Sequence, residues 1–290
     1  MTRRPSAPWS PRRARRSKLP DHPPPALGPR HAAVKRLREL LRDPRARDAE
    51  RAFVVEGPRA VDAALDRGAR FEAVYFGPHA DTAFPALTAR IAATGTAVAR
   101  LKEGVLEKVG TTRTPQPVLA VAPIPDVHHR DALANDGLVV MGVALSDPGN
   151  LGTLMRSAEA AGAAAMLLGP GSVDAYNPKV VRASAGAIFG IPVVDAVSEG
   201  WSAVEALDAL GELGRQRLGA TTATAATRYR DVDFRLPSAI VLGNEAHGIG
   251  AELEAHLDGH VTIPMAGPAE SLNVAMAGTV LCFESARQRG

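Results

Sequence analysis

The C-terminal half of the chain alternates short apolar segments with segments of helical spacing, and this alternation limits the fold more than any other feature. The apolar segments are 138–145, 163–170, 191–196, 217–223, 238–245 and 260–265, and the helical ones are 151–162, 178–190, 202–214, 251–259 and 271–288. Strands that are apolar along their whole length are buried on both faces, which requires helices above and below a mainly parallel sheet. We therefore predict an α/β domain with a parallel sheet over residues 137–290.

A smaller α/β unit precedes this domain. Segment 32–43 places Val34, Leu37, Leu40 and Leu41 at helical spacing, with basic residues on its other faces, and this predicts a basic amphipathic helix. Strands are expected at 52–57, 71–77, 97–101 and 117–123, with helices between them. The predicted unit covers residues 31–125, and the polar, proline-containing segment 126–136 is expected to be a linker.

The charge is distributed unevenly along the chain. Residues 1–30 contain eight prolines and eight Lys/Arg, which predicts a disordered basic tail. The formal net charge of +3 divides into +7 over residues 1–30, +4 over residues 31–125 and −8 over residues 126–290. Clustered Lys and Arg bind phosphate backbones by releasing counterions, although such stretches are also typical of solvated surfaces. We expect affinity for a polyanion to lie mainly in the tail and the first domain.

The chain has a single cysteine, Cys282. A lone cysteine cannot form an intramolecular disulfide or a multi-cysteine zinc site, and the lack of disulfides indicates a reducing compartment. The apolar residues around Cys282 favour a packed thiol. The longest uncharged apolar stretch, 137–145, is about half of a membrane span, and no apolar signal segment follows the N-terminal arginines. The histidines show no zinc spacing. We expect a cytoplasmic protein with no metal and no membrane partner.

Three connections after predicted strands contain unusual residues. Ligands of open α/β sheets bind at the carboxyl ends of strands, so these connections are the candidate site. In 146–156, Asn150 either caps a helix or has a further role, and Gly152 allows close approach by a ligand or by another backbone. Glu245 follows the strand at 238–245, where a surface ion pair is the alternative. In 263–273, irregular backbone precedes Ser271, which is a reasonable helix cap.

Several common cofactor signatures are absent from the chain. No GxGxxG motif opens the first strand-to-helix connection, and no GxxxxGK[ST] motif occurs. There is also no GxSxG motif of a serine hydrolase. Dehydrogenases and nucleoside-triphosphate hydrolases of the usual kinds are therefore disfavoured.

Together, the three connections resemble the signature motifs of the SpoU or TrmH-type RNA ribose 2′-O-methyltransferases of the SPOUT superfamily. The first matches as N-x-G-x-x-x-R, the second as L-G-N-E at 242–245, and the third as I-P-M-x-G followed by S-L-N over 263–273. Segment 176–193 is also similar to the family. The N-terminal unit, with FVVEGPR and TPQPVLAV, resembles the substrate-binding domain that precedes the catalytic domain in many members.

The resemblance implies a fold and a cofactor. The expected catalytic domain is an α/β sheet whose C-terminal segment forms a deep trefoil knot, preceded by a small ribosomal-protein-like RNA-binding domain. S-adenosylmethionine would bind in the knot loops, contacted at Leu242, Gly243, Ile263, Met265 and Leu272. Members of the family usually act as homodimers, and the small residues of 275–278 would suit helix packing at the subunit interface.

The resemblance also implies a reaction. A methyl group would be transferred to a ribose 2′-hydroxyl, with Arg156 activating that hydroxyl, and an RNA phosphate oxygen is a rival for the role of base because a free arginine stays protonated. The other expected catalytic residues, which order the arginine, the substrate and the cofactor, are Asn150, Glu245, Ser271 and Asn273.

The RNA partner follows from the first domain. Large-subunit (23S) ribosomal RNA is favoured over tRNA, and protection against a ribosome-directed antibiotic is an alternative biological role. The remaining alternatives are a tRNA ribose methyltransferase and a non-catalytic RNA-binding or ribosome-assembly factor. Candidate phosphate contacts, each of which could also be a surface charge, are Arg36, Arg59, Arg113, Lys179 and Arg182.

Overall fold

The computed structural model describes residues 26–111, 114–244 and 248–290, which form two sheets with their helices. The first sheet and its helices comprise α1 (Ala32–Arg42), α2 (Pro44–Glu50), β1 (Ala52–Glu56), α3 (Pro58–Asp66), β2 (Ala73–Phe76), α4 (Ala80–Ala83), α5 (Pro85–Ala93), β3 (Ala97–Arg100), α6 (Val105–Val109) and β4 (Val118–Pro123). The second group begins with α7 (His129–Ala134), β5 (Leu138–Gly142), α8 (Pro148–Ala160), β6 (Ala165–Leu168) and α9 (Pro178–Ala183). It continues with a 3₁₀ turn (Ala187–Phe189), β7 (Val193–Asp195), α10 (Ala203–Glu212), β8 (Gln216–Thr221), β9 (Thr227–Arg228), β10 (Ser238–Leu242), α11 (Ala251–Glu254), β11 (Gly259–Thr262) and α12 (Val274–Arg289).

The N-terminal sheet has the strand order β1-β4-β2-β3, in which only β2 and β3 are parallel neighbours. The predicted amphipathic helix is confirmed as α1, and its four apolar residues are buried. Leu27 pairs with Leu101 next to β3, so the described structure begins before the expected boundary at residue 31. Most of the expected tail, residues 1–25, lies outside the described residues.

The C-terminal sheet confirms the predicted α/β class, because all of its neighbouring strands are parallel. Its strand order is β7-β6-β5-β10-β8-β11-β9. Along β5, Val140 faces the layer that contains α8, α9 and α12, whereas Val139 and Met141 face the layer that contains α7 and α10. The helices on both faces explain why the central strands are apolar throughout.

The two sheets share one apolar core. Phe53 of β1 contacts Tyr176 and Phe189, with ring centroids 4.9 and 5.5 Å apart, and burial raises the pKa of Tyr176 to about 12. Ion pairs surround these rings: Arg47 with Asp174, Arg67 with Glu159, and Arg182 with Glu56. The elements of the two sheets are therefore packed together rather than joined by the linker alone.

The segment expected to be a polar linker is partly a packed helix. Leu133 of α7 is buried, and the guanidinium of Arg215, itself buried, donates hydrogen bonds to the carbonyl oxygens of Leu133, Gly137 and Ser238. A buried guanidinium can satisfy several backbone acceptors at once because its donors are arranged in a planar fork. The connection between the two sheets is thereby fixed to the second one.

Two helix starts differ from the sequence expectation. Helix α8 begins at Pro148, and the Asp147 side chain caps it by accepting a hydrogen bond from the Asn150 backbone N–H, so Asn150 is not the cap. Pro148 favours the earlier start because its fixed φ suits the first helical turn. Helix α12 is capped by Asn273, not by Ser271.

Part of segment 275–278, expected to pack at a subunit interface, packs within the chain. Ala275 and Gly278 are buried within the chain, and a Cβ atom at Gly278 would lie 2.3 Å from a methyl carbon of Leu154 on α8. Gly278 thus allows α12 to approach α8 closely, whereas Ala277 lines a cavity and Met276 is exposed. Cys282 is buried, which raises the pKa of its thiol to about 12. Among the described helices, none is both long and apolar enough to cross a membrane.

Replacing Gly152 by Ala is expected to destabilise the α8–α9 contact. A Cβ atom there would lie 2.4 Å from the Ala183 Cβ and 2.8 Å from both the Ala183 carbonyl carbon and the Ser184 nitrogen. Because backbone atoms cannot move aside as a side chain can, we expect the free energy of unfolding to fall by about 1–3 kcal/mol. Urea denaturation followed by circular dichroism measures it. The exposed neighbour Thr153→Ala is the control, and an equal loss in both variants would contradict the explanation.

Candidate functional site

The three connections singled out in the sequence meet at the carboxyl edge of the parallel sheet. The Asn244 side chain donates a hydrogen bond of 3.0 Å to the Ala144 carbonyl oxygen, which joins the second connection to the first. The Asn273 side-chain amide donates one of 2.9 Å to Oδ1 of Asn150, which joins the third connection to the first. Residues a hundred or more positions apart therefore form one site.

A cavity of about 410 Å³ opens between the second and third connections. It is lined by all five residues expected to contact the cofactor, namely Leu242, Gly243, Ile263, Met265 and Leu272. Ser271 and Asn273 line it as well. Of the expected catalytic residues, Glu245 lies outside the described residues.

The described lining of this cavity is mostly apolar or backbone, with one carboxylate, Glu254, and no basic side chain. Lys and Arg side chains usually bind the phosphates of a nucleotide, and the described lining offers neither, although the first turn of α12 borders the cavity. The same wall suits a cationic small molecule with an apolar ring. The residues present therefore fit a sulfonium cofactor better than a dinucleotide.

Gly243 is required by the turn that forms one wall of the cavity. The backbone N–H groups of Asn244 and Gly248 each donate to the other residue's carbonyl oxygen, at 3.0 and 2.8 Å, so the chain folds back on itself. A Cβ atom at Gly243 would lie 2.2 Å from the Gly248 carbonyl carbon. Gly243 and Gly248, at the two described ends of this turn, place backbone at the cavity.

Asn273 connects two helix starts. Its Oδ1 accepts hydrogen bonds from the backbone N–H groups of Ala275 and Met276, at 3.0 and 3.4 Å, which caps α12. Its Nδ2 donates to Asn150 in the first turns of α8. One side chain thus aligns the helix that follows the cavity with the helix that carries Arg156.

Arg156 is exposed on α8, and the described residues provide it with no hydrogen-bond or ion-pair partner. Gly152, one turn earlier, faces the backbone of α9. Of the two roles considered for this glycine, close approach by a ligand or by another backbone, the structure therefore shows the second. An exposed, unpaired guanidinium can bind a phosphate or a hydroxyl oxygen of a substrate through two parallel hydrogen bonds.

The candidate phosphate contacts fall into two groups. Arg36 is engaged by Glu50 and Glu72, at 2.5 and 2.8 Å. Arg182 is engaged by Glu56 and by the Thr111 hydroxyl. Their charges are largely balanced within the chain.

Arg59 and Lys179, by contrast, are exposed and have no carboxylate partner in the described part of the chain. Arg59 lines a groove of about 980 Å³ at the junction of the two sheets, with Gln116 and Arg182 also in its wall. Arg113 lies outside the described residues. The available cations thus lie on both sides of the junction.

Three polar residues of the cavity lining were not predicted from the sequence, nor was Arg228 of β9 singled out. The three lining residues are Thr221, Thr222 and Glu254. Thr221 ends β8, so the rule that ligands bind at carboxyl ends of strands would have found that residue and Thr222. Glu254 could not be found this way, because it belongs to a four-residue helix that only the fold brings to the cavity. Arg228 at the end of β9 was not predicted as a site residue, because a strand of two residues has no recognisable pattern in the sequence.

The chain matches two known protein families over most of its length. Residues 137–283 match the SpoU rRNA Methylase family, and residues 31–120 match the MRM3-like substrate binding domain. The chain is 36% identical to the 23S rRNA (guanosine(2553)-2′-O)-methyltransferase RlmP of Bacillus subtilis over 190 residues, 66% of this chain and 73% of the relative. It is 29% identical to the 23S rRNA (uridine(2479)-2′-O)-methyltransferase of Streptomyces viridochromogenes over 90% of this chain and 91% of the relative.

Solved structures share the fold across both sheets. The SpoU methyltransferase AviRb from Streptomyces viridochromogenes, in complex with the cofactor AdoMet, matches with a TM-score of 0.73 and 28% identity over 89% of this chain and 98% of that chain. An AdoMet-bound rRNA methyltransferase from Sinorhizobium meliloti matches with a TM-score of 0.74 and 29% identity over 88% of this chain and 94% of that chain.

Two substitutions at Asn273 separate its cap from its link to Asn150. Asn273→Ala removes both and is expected to lower the free energy of unfolding by about 1 kcal/mol or more, since a helix cap contributes about that much. Asn273→Asp keeps an acceptor for the cap but loses the donor to Asn150, so it should retain most of the stability. Urea denaturation measures both, and an unaffected Asn273→Ala variant would rule out the cap as a stabilising contact.

Proposed function

The chain belongs to the SpoU rRNA methylase family, and from this membership we propose that it transfers a methyl group from S-adenosylmethionine to a ribose 2′-hydroxyl of large-subunit (23S) ribosomal RNA. The observation that carries the proposal is the meeting of the three connections around a cavity without basic side chains in its described lining. That lining suits a sulfonium. Arg156, whose guanidinium is free, is outside the lining and belongs to α8, the helix that Asn273 links to the cavity. The two relatives that act on 23S rRNA support the choice of RNA.

The cofactor, when bound, supplies a methyl group on a positively charged sulfur. Leu242, Ile263 and Leu272 would enclose its apolar parts, and the turn at Gly243 would offer backbone hydrogen-bonding groups. Polar contacts through backbone atoms depend on the fold of the turn more than on side-chain identity. We propose that the segment from the second connection to α12 forms the trefoil knot of the family, which would hold these turns rigidly.

Arg156 is proposed to bind the reacting part of the RNA. A guanidinium remains protonated near neutral pH, so it acts as a hydrogen-bond donor and a positive charge and does not accept a proton. It would stabilise the developing negative charge on the 2′-oxygen, while an RNA phosphate oxygen takes the proton. Asn150, Glu245, Ser271 and Asn273 are proposed to hold the arginine, the substrate and the cofactor in line; the Asn273–Asn150 hydrogen bond supports this for two of them.

The N-terminal sheet is proposed to bind the RNA substrate. Its match to a substrate-binding domain and the groove that holds Arg59 support this assignment. We assign residues 31–125 to substrate binding and residues 137–290 to catalysis, with 126–136 between them. The single buried cysteine and a ribosomal substrate support a cytoplasmic location.

A second copy of the chain is proposed to cover one face of α12. Met276 is 61% exposed and Phe283 is 48% exposed, and both lie on the same side of the helix by their seven-residue spacing. The opposite side of α12 packs on α8 inside the chain. Large exposed apolar side chains in a row are typical of subunit contacts, and a homodimer is the usual state in this family.

Arg156→Ala is expected to reduce methyl transfer by about 10²-fold or more while leaving cofactor affinity unchanged, because the loss of a donor to developing charge costs about that much. The readouts are transfer of labelled methyl groups to deproteinised 23S rRNA and calorimetric titration with S-adenosylmethionine. Arg130→Ala, which removes an exposed arginine paired with Glu212 at 3.5 Å, is the control. Full activity in Arg156→Ala would refute the assigned role.

Phe283→Glu is expected to convert the dimer into a monomer, because it places charge in the centre of the proposed contact. Sedimentation equilibrium measures the mass. Val197→Glu is the control, since Val197 is 60% exposed and follows β7 at one edge of the sheet, whereas α12 packs on α8, β5 and β10. A wild-type monomer, or a Phe283→Glu variant that stays dimeric, would disprove this interface.

A further inference from the structure

The catalytic half contains few cations that its own carboxylates leave unpaired. Residues 126–290 have 11 Lys/Arg and 19 Asp/Glu. Five of the arginines are in ion pairs, and Arg215 and Arg289 donate to backbone carbonyl oxygens. Among the described residues, the cations without a carboxylate partner or a carbonyl acceptor are Arg156, Lys179, Arg228 and Arg230. In an acidic domain, exposed cations left unpaired are the exception.

Three of these four cations lie on segments that follow strands of the sheet, and Arg228 is the last residue of a strand. Arg156 comes after β5 and Lys179 after β6, whereas Arg228 ends β9. Strand β9 runs parallel to β11, with Arg228 opposite Thr262, and the Tyr229 N–H donates 2.9 Å to the Thr262 carbonyl oxygen. The chain after β9 therefore leaves the sheet at the same edge as Ile263 and the cofactor cavity.

The strand order places the cavity between the two pairs of cations. Strands β10, β8 and β11, whose carboxyl ends line the cavity, are consecutive in the sheet and lie between β5 and β9. Strands β5 and β6 lie on one side of them, with Arg156 and Lys179 in the segments that follow. Strand β9 lies on the other side, with Arg228 and Arg230. Exposed positive charge is thus present on both sides of the proposed cofactor site.

Tyr229 orients Arg230 without neutralising it. The Nε of Arg230 donates to the Tyr229 hydroxyl at 2.9 Å, and its guanidinium carbon lies 5.4 Å from the centre of the Tyr229 ring. The nearby Glu284 carboxylate accepts hydrogen bonds from Arg287 and Gln288, and these bonds, together with the charges of Arg287 and Arg230, lower its pKa to about 2. Arg230 therefore interacts with Glu284 at a distance but forms no ion pair with it, and its exposed guanidinium can still bind a ligand.

We propose that Arg228 and Arg230 form a second RNA-binding element that holds backbone phosphates on the β9 side of the cofactor cavity. This element rests on the proposed methyltransferase function, because the RNA must cross the cavity to present a ribose. Arginines that bind phosphates on both sides of one nucleotide restrict its position along the edge, which lowers the entropic barrier to transfer. The net charge of segment 227–231 is +1, since Asp231 is its one carboxylate.

The test is a double substitution, Arg228→Gln with Arg230→Gln, in the full-length protein. The control is Arg235→Gln, because Arg235 is close in sequence and exposed, but its guanidinium is bound by both oxygens of Asp233 at 2.8 and 3.0 Å. The probe is deproteinised 23S rRNA, and its dissociation constant is measured by filter binding at several salt concentrations. Cofactor affinity is measured by calorimetry on the same preparations.

Loss of two phosphate contacts should weaken RNA binding and reduce the slope of log Kd against log salt by about one to two. The control and the cofactor affinity should match the wild type. An unchanged slope would overturn the proposal and leave the arginines as a surface for another partner. An equal change in Arg235→Gln, or a loss of cofactor affinity in the double variant, would also overturn it. A wild-type protein that neither binds the cofactor nor methylates RNA would instead refute the proposed function.

Discussion

All seven strands of the C-terminal sheet run in the same direction, and the functional site depends on this constraint. Every connection that follows a strand starts at the same edge, so residues far apart in sequence meet there. The hydrogen bonds from Asn244 to Ala144 and from Asn273 to Asn150 fix how the connections meet. The apolar strands and the helices on both faces keep that edge rigid, because any slip would expose buried side chains.

The contact between the two sheets extends this rigidity to the substrate-binding side. Phe53 packs on Tyr176 and Phe189, and Arg67 pairs with Glu159 three residues beyond Arg156 on α8. Removal of residues 1–125 would expose this aromatic cluster to water, so RNA binding and catalysis cannot be separated by truncation. Point substitutions of exposed cations keep the core intact and separate the two activities more cleanly.

The net charges of the two parts of the chain can be compared with how their basic residues are paired in the structure. The +11 of residues 1–125 and the −8 of residues 126–290 support the proposal that the N-terminal part attracts RNA. The structure refines this division, because several basic residues of the N-terminal part are already paired, as Arg36 and Arg67 show. Conversely, the acidic part retains exposed cations on the segments that flank the strands of its cavity. A cavity whose described lining lacks basic residues can hold a cationic cofactor while cations at its rim hold phosphates.

The sequence by itself determined the α/β class, the parallel sheet, the amphipathic helix α1 and the membership of the family. These features depend on local periodicity and on motifs whose spacing is visible along the chain. It placed the cavity residues correctly on the three connections, but it assigned the helix caps to Asn150 and Ser271, because a cap depends on where the first turn forms. Tertiary structure alone decided that Gly152 faces α9, that Gly278 serves the α8 contact, and which arginines remain unpaired. Pairing of charges and close approach of backbones arise between residues distant in sequence, and no local pattern records them.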